Sequence, residues 1–190
     1  MVEEGSISQD EALLRVEPRH VVQLLLPRFE EQAKADAVLA GRHIATGVGA
    51  SPGAAVGEVV FDPDRAEHRA ATGARVILVR PETAPDDFHG MIVSQGILTC
   101  RGGTSSHAAV VARGLGKPCI VSAESIRVDL DGRTFTVGNT VVKEGEVISI
   151  DGLTGEVLTG EVKTVDPNFT EDEDLQAVLG WADGRRVTNL

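Results

Sequence analysis

Aromatic side chains are scarce, at 3% of the 190 residues. A core of stacked rings is therefore excluded, and burial has to come from Val, Ile, Leu and Ala, which the 42% hydrophobic content can supply. Cysteine is almost absent. Cys100 and Cys119 lie in no C-x-x-C or other ligand spacing, which excludes a disulfide framework and a cysteine-built zinc site. Each sits in an apolar run, so both are expected as buried free thiols in a reducing, cytoplasmic compartment. No apolar run approaches the roughly 18 residues of a membrane span. The stretch from Val2 to Glu11 is polar and acidic, unlike a secretory leader. Positive charge is also in deficit, with 18 Lys and Arg against 29 Asp and Glu and a net charge of −11. Nucleic acid and anionic membranes, which select basic surfaces, are excluded as partners, and the acidity reads as solvation. A Walker-type glycine-lysine loop is missing, and no acidic or histidine cluster has metal-ligand spacing. His20, His43, His68 and His89 read as surface or structural residues, and the pairs Asp86-Asp87 and Asp172-Asp174 as solvated.

What is present divides into three stretches. Residues 1–43 read as a helical linker with too few apolar positions for its own core. Ser8-Gln-Asp-Glu11 forms a capping box ahead of a short helix that ends before Pro18. Val21 to Leu26 is a second apolar patch, and Phe29 to Leu39 a weaker helical one. Residues 44–160 read as one compact α/β unit. Gly47 to Ala55 is a glycine-proline turn region between short strands, and Val56 to Phe61 alternates as a strand. Val76-Ile77-Leu78-Val79 is a continuous apolar run, suited to a strand covered on both faces. Thr83 or Asp86 is the expected cap of a helix whose Phe88 and Met91 face inward. Beyond Ser122 come short alternating strands with turn signals at Asp131-Gly132 and Gly138-Asn139, a meander of antiparallel hairpins. Residues 161–190 change again: an acidic run at 171–174 precedes Leu175, Val178, Leu179 and Trp181 at helical spacing.

The stretch that carries chemistry is GILTCRGGTSSHAAVVARGLGKPCIVS, from Gly96 to Ser122. Ile97 to Cys100 reads as a buried strand, Arg101 to Thr104 as a tight glycine turn, and Ser105 to Leu115 as a helix stopped by Gly114 and Gly116. His107 falls in the first helical turn, where free backbone N–H groups and the helix dipole favour an anion. Gly102 and Gly103 are expected to take positive φ and let the backbone approach a ligand. Thr104, Ser105 and Ser106 offer hydroxyls, and Arg101 lies just before the turn. A neutral imidazole in this place can attack phosphorus and carry the phosphoryl group while N–H groups and hydroxyls hold it.

The string Gly-Gly-Thr-Ser-Ser-His-Ala-Ala-Val-Val-Ala-Arg, followed by Gly-Leu-Gly-Lys-Pro-Cys, resembles the phosphohistidine signature of the phosphoenolpyruvate-utilising enzymes, and within them most closely that of the dikinases. Ile-Ser-Gln-Asp-Glu-Ala-Leu-Leu-Arg-Val-Glu-Pro, near the start, is similar to the linker that follows the ATP-binding domain there. Ser51-Pro52-Gly53-Ala54-Ala55 is similar to scaffold sequence of the same family. The resemblance implies a β/β/α swivelling phosphohistidine domain flanked by linkers, the second linker running into a phosphoenolpyruvate-binding barrel. It implies that His107 is the catalytic acceptor, through Nε2 with Nδ1 held by a neighbour. A phosphoryl group from ATP would pass through it to pyruvate, reversibly. It also implies phosphate contacts from Arg101, Gly102, Gly103, Thr104, Ser106 and Arg113, although Arg113 reads equally well as a helix-to-sheet salt bridge.

Ser105 stands where such dikinases carry a regulatory threonine, and Thr104 where the family often has methionine. A regulatory kinase or phosphorylase would act on Ser105. The implied partners are the ATP-binding domain and the pyruvate-binding barrel, with the two flanking segments as hinges or docking helices. ATP and magnesium are implied for the complete enzyme and no cofactor for this chain. The complete enzyme would be a homo-oligomer, and this chain alone inactive. Phosphoenolpyruvate synthase, the first enzyme of the sugar phosphotransferase system, and a docking module without catalysis are the alternative readings.

Overall fold

The computed structural model describes residues 2, 4–17, 25–167 and 173–185. Two compact units divide the chain: Met1–Leu26 with Asp166–Leu190, and Pro27–Val165. In the first unit α1 (Gln9–Arg15) touches α6 (Glu173–Asp183), and Arg185 is ion-paired with Asp10. Half of the expected capping box forms: Ser8 Oγ accepts from the Glu11 N–H at 3.2 Å, while the Glu11 carboxylate turns to Arg15. The apolar patch at 21–26, the acidic run at 171–174 and His20 lie wholly or largely outside the described residues.

The second unit is an α/β fold around an eight-stranded mixed sheet. Its strands are β2 (His43–Thr46), β3 (Val48–Ser51), β4 (Ala54–Val60), β5 (Val76–Arg80), β6 (Gly96–Thr99), β7 (Cys119–Val121), β11 (Val147–Asp151) and β12 (Glu156–Thr159). Their order is β2-β12-β11-β4-β5-β6-β7-β3. The contiguous β4, β5, β6 and β7 are parallel, and the remaining pairings are antiparallel. Helices α3 (Pro63–Ala71), α4 (Phe88–Val93) and α5 (His107–Leu115) make the crossovers between the parallel strands.

The apolar run in β5 explains the layering. Successive strand residues point to opposite faces. Ile77 and Val79 enter one cluster with Val59, Phe61, Leu98 and Ile120, capped by Phe135 and Val142 of a small sheet made of β8 (Arg127–Asp129), β9 (Thr134–Val137) and β10 (Thr140–Lys143). Val76 and Leu78 enter the other, with Val60, Ile97 and Val121 against Ala66 of α3, Met91 of α4 and Ala108, Ala109 and Ala112 of α5. Both faces are thus covered, and all four residues of the run are fully buried. Burial of each such side chain is worth about 1.5–3 kcal/mol. Phe61 and Phe135 meet edge to face with centroids 6.4 Å apart, a ring contact between the large sheet and the small one.

Several expectations are corrected. Met91 is fully buried but Phe88 is 45% exposed. The helix is six residues long, and its buried face is set by Gly90, which lies so close to Pro63 of α3 that a Cβ would sit 2.5 Å from the Pro63 Cα. The 47–55 region is not only turn: β3 runs through it, because Gly49 passes within Cβ-clash distance of the Gly152 and Leu153 carbonyls. The turn itself is at Pro52-Gly53, where Gly53 has φ +116°. Asp87 is buried rather than solvated.

The unit also extends past residues 44–160. Strands β1 (Arg28–Phe29) and β13 (Thr164–Val165) pair with Arg28 opposite Val165, and α2 (Glu31–Leu39) buries Ala37 in a cluster with Phe29, Val56, Leu158 and Val162. Lys34 of α2 reaches Asp151 at 2.6 Å, Glu156 at 2.5 Å and the Thr154 hydroxyl at 3.2 Å. Burial acts to lower the Lys34 pKa, but the hydrogen bonds to the two carboxylates outweigh it and the pKa is raised. For Asp151 burial acts upward and is outweighed by Lys34 and the Thr154 and Leu153 N–H groups, so its pKa is lowered. Glu156 is lowered by its bonds to Lys34 and Thr154. Two depressed carboxylates give stability that is present above their unfolded pKa of about 4 and is lost as pH falls through the folded values. Lys34→Met should therefore lower the thermal midpoint at pH 7 and flatten its decline between pH 6 and pH 3, measured by circular dichroism against the parent chain.

Candidate functional site

The parallel pairing of β5 and β6 continues one step past both strands: the Cys100 N–H donates to the Arg80 carbonyl at 3.2 Å and the Arg101 N–H to Pro81 at 2.9 Å. The loops that leave the two strands, 81–84 and 100–106, therefore start side by side at the carboxyl end of the sheet. That end is where open α/β sheets place their sites. Gly102 takes φ +93°, and a Cβ there would meet the Ser106 side chain at 2.9 Å. Its carbonyl accepts from the Ser122 hydroxyl. The Ser106 N–H closes the turn on the Gly103 carbonyl at 2.9 Å.

Helix α5 starts at His107, two residues later than expected, because Ser106 stays extended (φ −65°, ψ 162°) as N-cap and its Oγ accepts from the Ala109 N–H. His107 is thus the first helical residue. The N–H groups of His107 and Ala108 donate to no protein group among the described residues. They are the free donors of a helix N-terminus, with the positive end of the dipole beside them. The imidazole is half-buried, and its Nδ1 lies 3.0 Å from the Thr83 hydroxyl. Nε2 makes no hydrogen bond among the described residues.

Thr83 is the residue that sequence reasoning assigned elsewhere. It was expected as a helix cap, but the turn of 3-10 helix at Pro85–Asp87 is capped by Asp87, whose Oδ2 accepts from the Ala84 N–H at 2.9 Å. Thr83 is left to face His107. The signal that could have found it is the paired apolar runs of β5 and β6, whose common end brings 83 and 107 together.

The other predicted residues separate. Thr104 and Ser105 are exposed on the loop beside His107. Gly103 does not take positive φ, and a Cβ on it would meet nothing within 4 Å. Arg113 donates to the carbonyls of Ala50 at 3.1 Å and Thr104 at 2.7 Å. It braces the loop against β3, and no carboxylate among the described residues pairs with it. Arg101 is exposed and lines a cleft of about 510 Å³ together with Pro81, Cys100, Glu124 and Arg127.

Burial pushes the Cys100 thiol up to about 11 and Cys119 up to about 12, with the charges of Arg101 and Arg113 respectively acting against the rise. Both thiols are free, and near neutral pH both stay protonated and poor nucleophiles. Among the described residues no group of three or more His, Cys, Asp or Glu could hold a metal ion, and no helix is long and apolar enough to cross a membrane.

Comparison with known proteins bears on this geometry. Residues 72–155 match the family described as PEP-utilising enzyme, mobile domain. The chain is 46% identical over 189 residues to a pyruvate, phosphate dikinase of Rhizobium meliloti, covering 99% of this chain and 20% of that protein. It is 43% identical over 190 residues to a pyruvate, phosphate dikinase of Giardia intestinalis, covering all of this chain and 21% of that protein. A solved N-terminal domain of Enzyme 1 - Nitrogen is 13% identical with a TM-score of 0.41, over 72% of this chain and 99% of that one. The chain spans about a fifth of the length of the dikinases it matches. Residues 72–155, which hold β5 to β7 and the His107 helix, are thus the part of this chain that matches the mobile domain of the PEP-utilising enzymes.

Proposed function

We propose that this chain is the phosphoryl-carrying part of a pyruvate, phosphate dikinase. His107 takes a phosphoryl group originating from ATP and delivers it to pyruvate, forming phosphoenolpyruvate, and the same steps run in reverse. The observation that carries this reading is the His107 ring at the head of α5, with Nδ1 tied to Thr83 and Nε2 left without a partner among the described residues.

The chemistry follows from that placement. With the Nδ1 proton donated to Thr83 Oγ1, the in-plane lone pair on Nε2 is free to attack. The N–P bond forms as the bond from phosphorus to the donor's leaving oxygen breaks, and that oxygen keeps the electron pair. Positive charge that develops on the ring is met by the Nδ1–H···Oγ1 bond. The phosphoryl oxygens gain the free N–H groups of His107 and Ala108 and the positive end of the helix dipole. The Ser106 hydroxyl, whose oxygen accepts from Ala109, still has a proton to donate. Delivery to pyruvate is the reverse displacement, with the enolate oxygen of pyruvate as the nucleophile and Nε2 as the leaving group.

A histidine that serves two substrate sites has to travel between them. The compact unit begins and ends in one antiparallel pair, β1 with β13. On this reading the ATP-binding domain and the pyruvate-binding barrel belong to the longer protein, as do ATP, magnesium and homo-oligomer formation. Ser105, exposed two residues before His107, is the proposed regulatory site. A phosphate there would add about −1.5 to −2 charge and repel an incoming phosphoryl group.

The test is labelling in trans. The chain is mixed with a separately produced ATP-binding domain of the Rhizobium meliloti relative and ATP labelled at the β-phosphate. Acid-labile, alkali-stable label should appear on the chain and be absent from His107→Asn, while the chain alone should show no turnover. No label from a pair shown to associate would sink the reading in favour of a carrier charged from phosphoenolpyruvate or a docking module. Thr83→Val should slow labelling roughly fivefold, the worth of one hydrogen bond of about 1 kcal/mol, and Thr83→Ser should restore it.

A further inference from the structure

Two hydroxyls beside the glycine turn have no part in the chemistry described so far. Thr99, the last residue of β6, is fully buried. The rest of its strand is Gly96, Ile97 and Leu98, and valine would fill the same space with no polar atom to satisfy. Its Oγ1 donates to the Arg101 carbonyl at 2.8 Å. Ser122 follows β7 and takes φ +53°, in the left-handed region that a Cβ disfavours. Glycine would take that conformation freely, but it could not donate as the Ser122 hydroxyl does, to the Gly102 carbonyl. Each residue goes against a local preference, one of packing and one of backbone, and the two hydroxyls meet consecutive carbonyls of one turn.

The next two carbonyls are engaged as well. Gly103 accepts from the Ser106 N–H at 2.9 Å, and Thr104 from Arg113 at 2.7 Å. The N–H groups of Gly102, Gly103, Thr104 and Ser105, by contrast, donate to no protein group among the described residues. The direction of these bonds is not open, since a carbonyl can only accept. No peptide bond among the described residues is cis, and in a trans peptide the N–H points away from the carbonyl. A donor that holds the carbonyl of one residue therefore aims the N–H of the next. The device is needed here because peptides that flank glycine turn over easily, and a flipped peptide would present an oxygen instead of a donor.

We propose that Thr99 and Ser122 are positioning residues that turn the Gly102 and Gly103 N–H groups towards the phosphoryl oxygens carried on His107. The inference rests on the carrier reading above. Gly102 lies against Ser106, the residue before His107, where its own Cβ would come within 2.9 Å of the Ser106 side chain. The turn is thus beside the head of α5, and its two aimed donors add to the free N–H groups of His107 and Ala108. Neither Thr99 nor Ser122 touches the reacting atoms. Thr99 acts through the Arg101–Gly102 peptide and Ser122 through the Gly102–Gly103 peptide.

The experiment reads the backbone amides of the full chain by 15N–1H correlation at pH 8, before and after His107 is phosphorylated. Phosphoramidate, which passes its phosphoryl group to an imidazole nitrogen and releases ammonia, does this without a partner domain. In the parent chain the Gly102 and Gly103 amide protons should move downfield on phosphorylation, together with those of His107 and Ala108. Thr99→Val should lose the Gly102 shift and Ser122→Gly the Gly103 shift, with the His107 and Ala108 shifts kept in both; Thr99→Ser should restore the first. Labelling in trans should slow roughly fivefold in Thr99→Val and in Ser122→Gly. A phosphorylated parent without the Gly102 and Gly103 shifts would overturn the proposal, and so would shifts that persist in the folded variants. Should Thr99→Val not fold by circular dichroism, Ser122→Gly decides alone, since glycine is at ease at its φ. No label from the ATP-binding domain, on a parent that shows both shifts with phosphoramidate, would sink the carrier reading and leave the two positioning roles standing. A His107 that neither reagent nor partner modifies would overturn both.

Discussion

Two-sided burial of the parallel strands is the constraint on which the rest of this unit depends. The residues of β5 alternate between two apolar clusters, and neither cluster can relax without exposing the other. A strand held in this way cannot slip in register, because a shift of one residue would exchange every side chain between the layers. The register then fixes what lies beyond the strand. Arg80 stands opposite Thr99, so the chains leaving β5 and β6 start level, and Thr83 comes to lie 3.0 Å from the His107 ring. The site is in this sense a product of the core.

The poverty in aromatics has a structural counterpart at the same place. α5 buries Ala108, Ala109 and Ala112 against the sheet. Side chains this small let a helix lie close to the strands, and a close helix brings its N-terminus near the loops at the strand ends. Larger residues at these positions would lift the helix and carry His107 away from Thr83. Arg113 secures the other side of the arrangement, reaching Ala50 on β3 and Thr104 in the loop. The turn before the helix is therefore held at Gly102 by Ser122, at Thr104 by Arg113 and at Ser106 by its own cap.

Legibility in the sequence followed the range of the interactions. The place of His107 at a helix start could be read because the glycine turn, the cap and the helix lie within a dozen residues of chain. The parallel strands could be read because burial on both faces leaves an unbroken apolar run such as Val76 to Val79. Thr83 could not, since its partner lies 24 residues away and only the pairing of β5 with β6 joins them. Asp87 was misread for a related reason: next to Asp86 it looks like a solvated pair, and its burial depends on Arg80 at the far end of the loop. The sequence leaves Arg113 open between a phosphate contact and a helix-to-sheet salt bridge, and puts positive φ on both turn glycines. The helix points the Arg113 guanidinium towards backbone carbonyls, and the positive φ of the turn falls on Gly102 alone of the two glycines.

A carrier histidine has to satisfy two demands that conflict in most sites. It must meet different partners, and it must present the same nucleophile to each. On the proposed carrier reading, the second demand is met within this one unit. Every group that shapes the ring's surroundings, from Thr83 to Ser106 and the free N–H groups, belongs to the same buried sheet and its crossovers, so these surroundings travel with His107. The helix terminus suits that reading. Its donors are backbone groups fixed by the cap, so they need no reorganisation to receive a phosphoryl group from one partner or to release it to another.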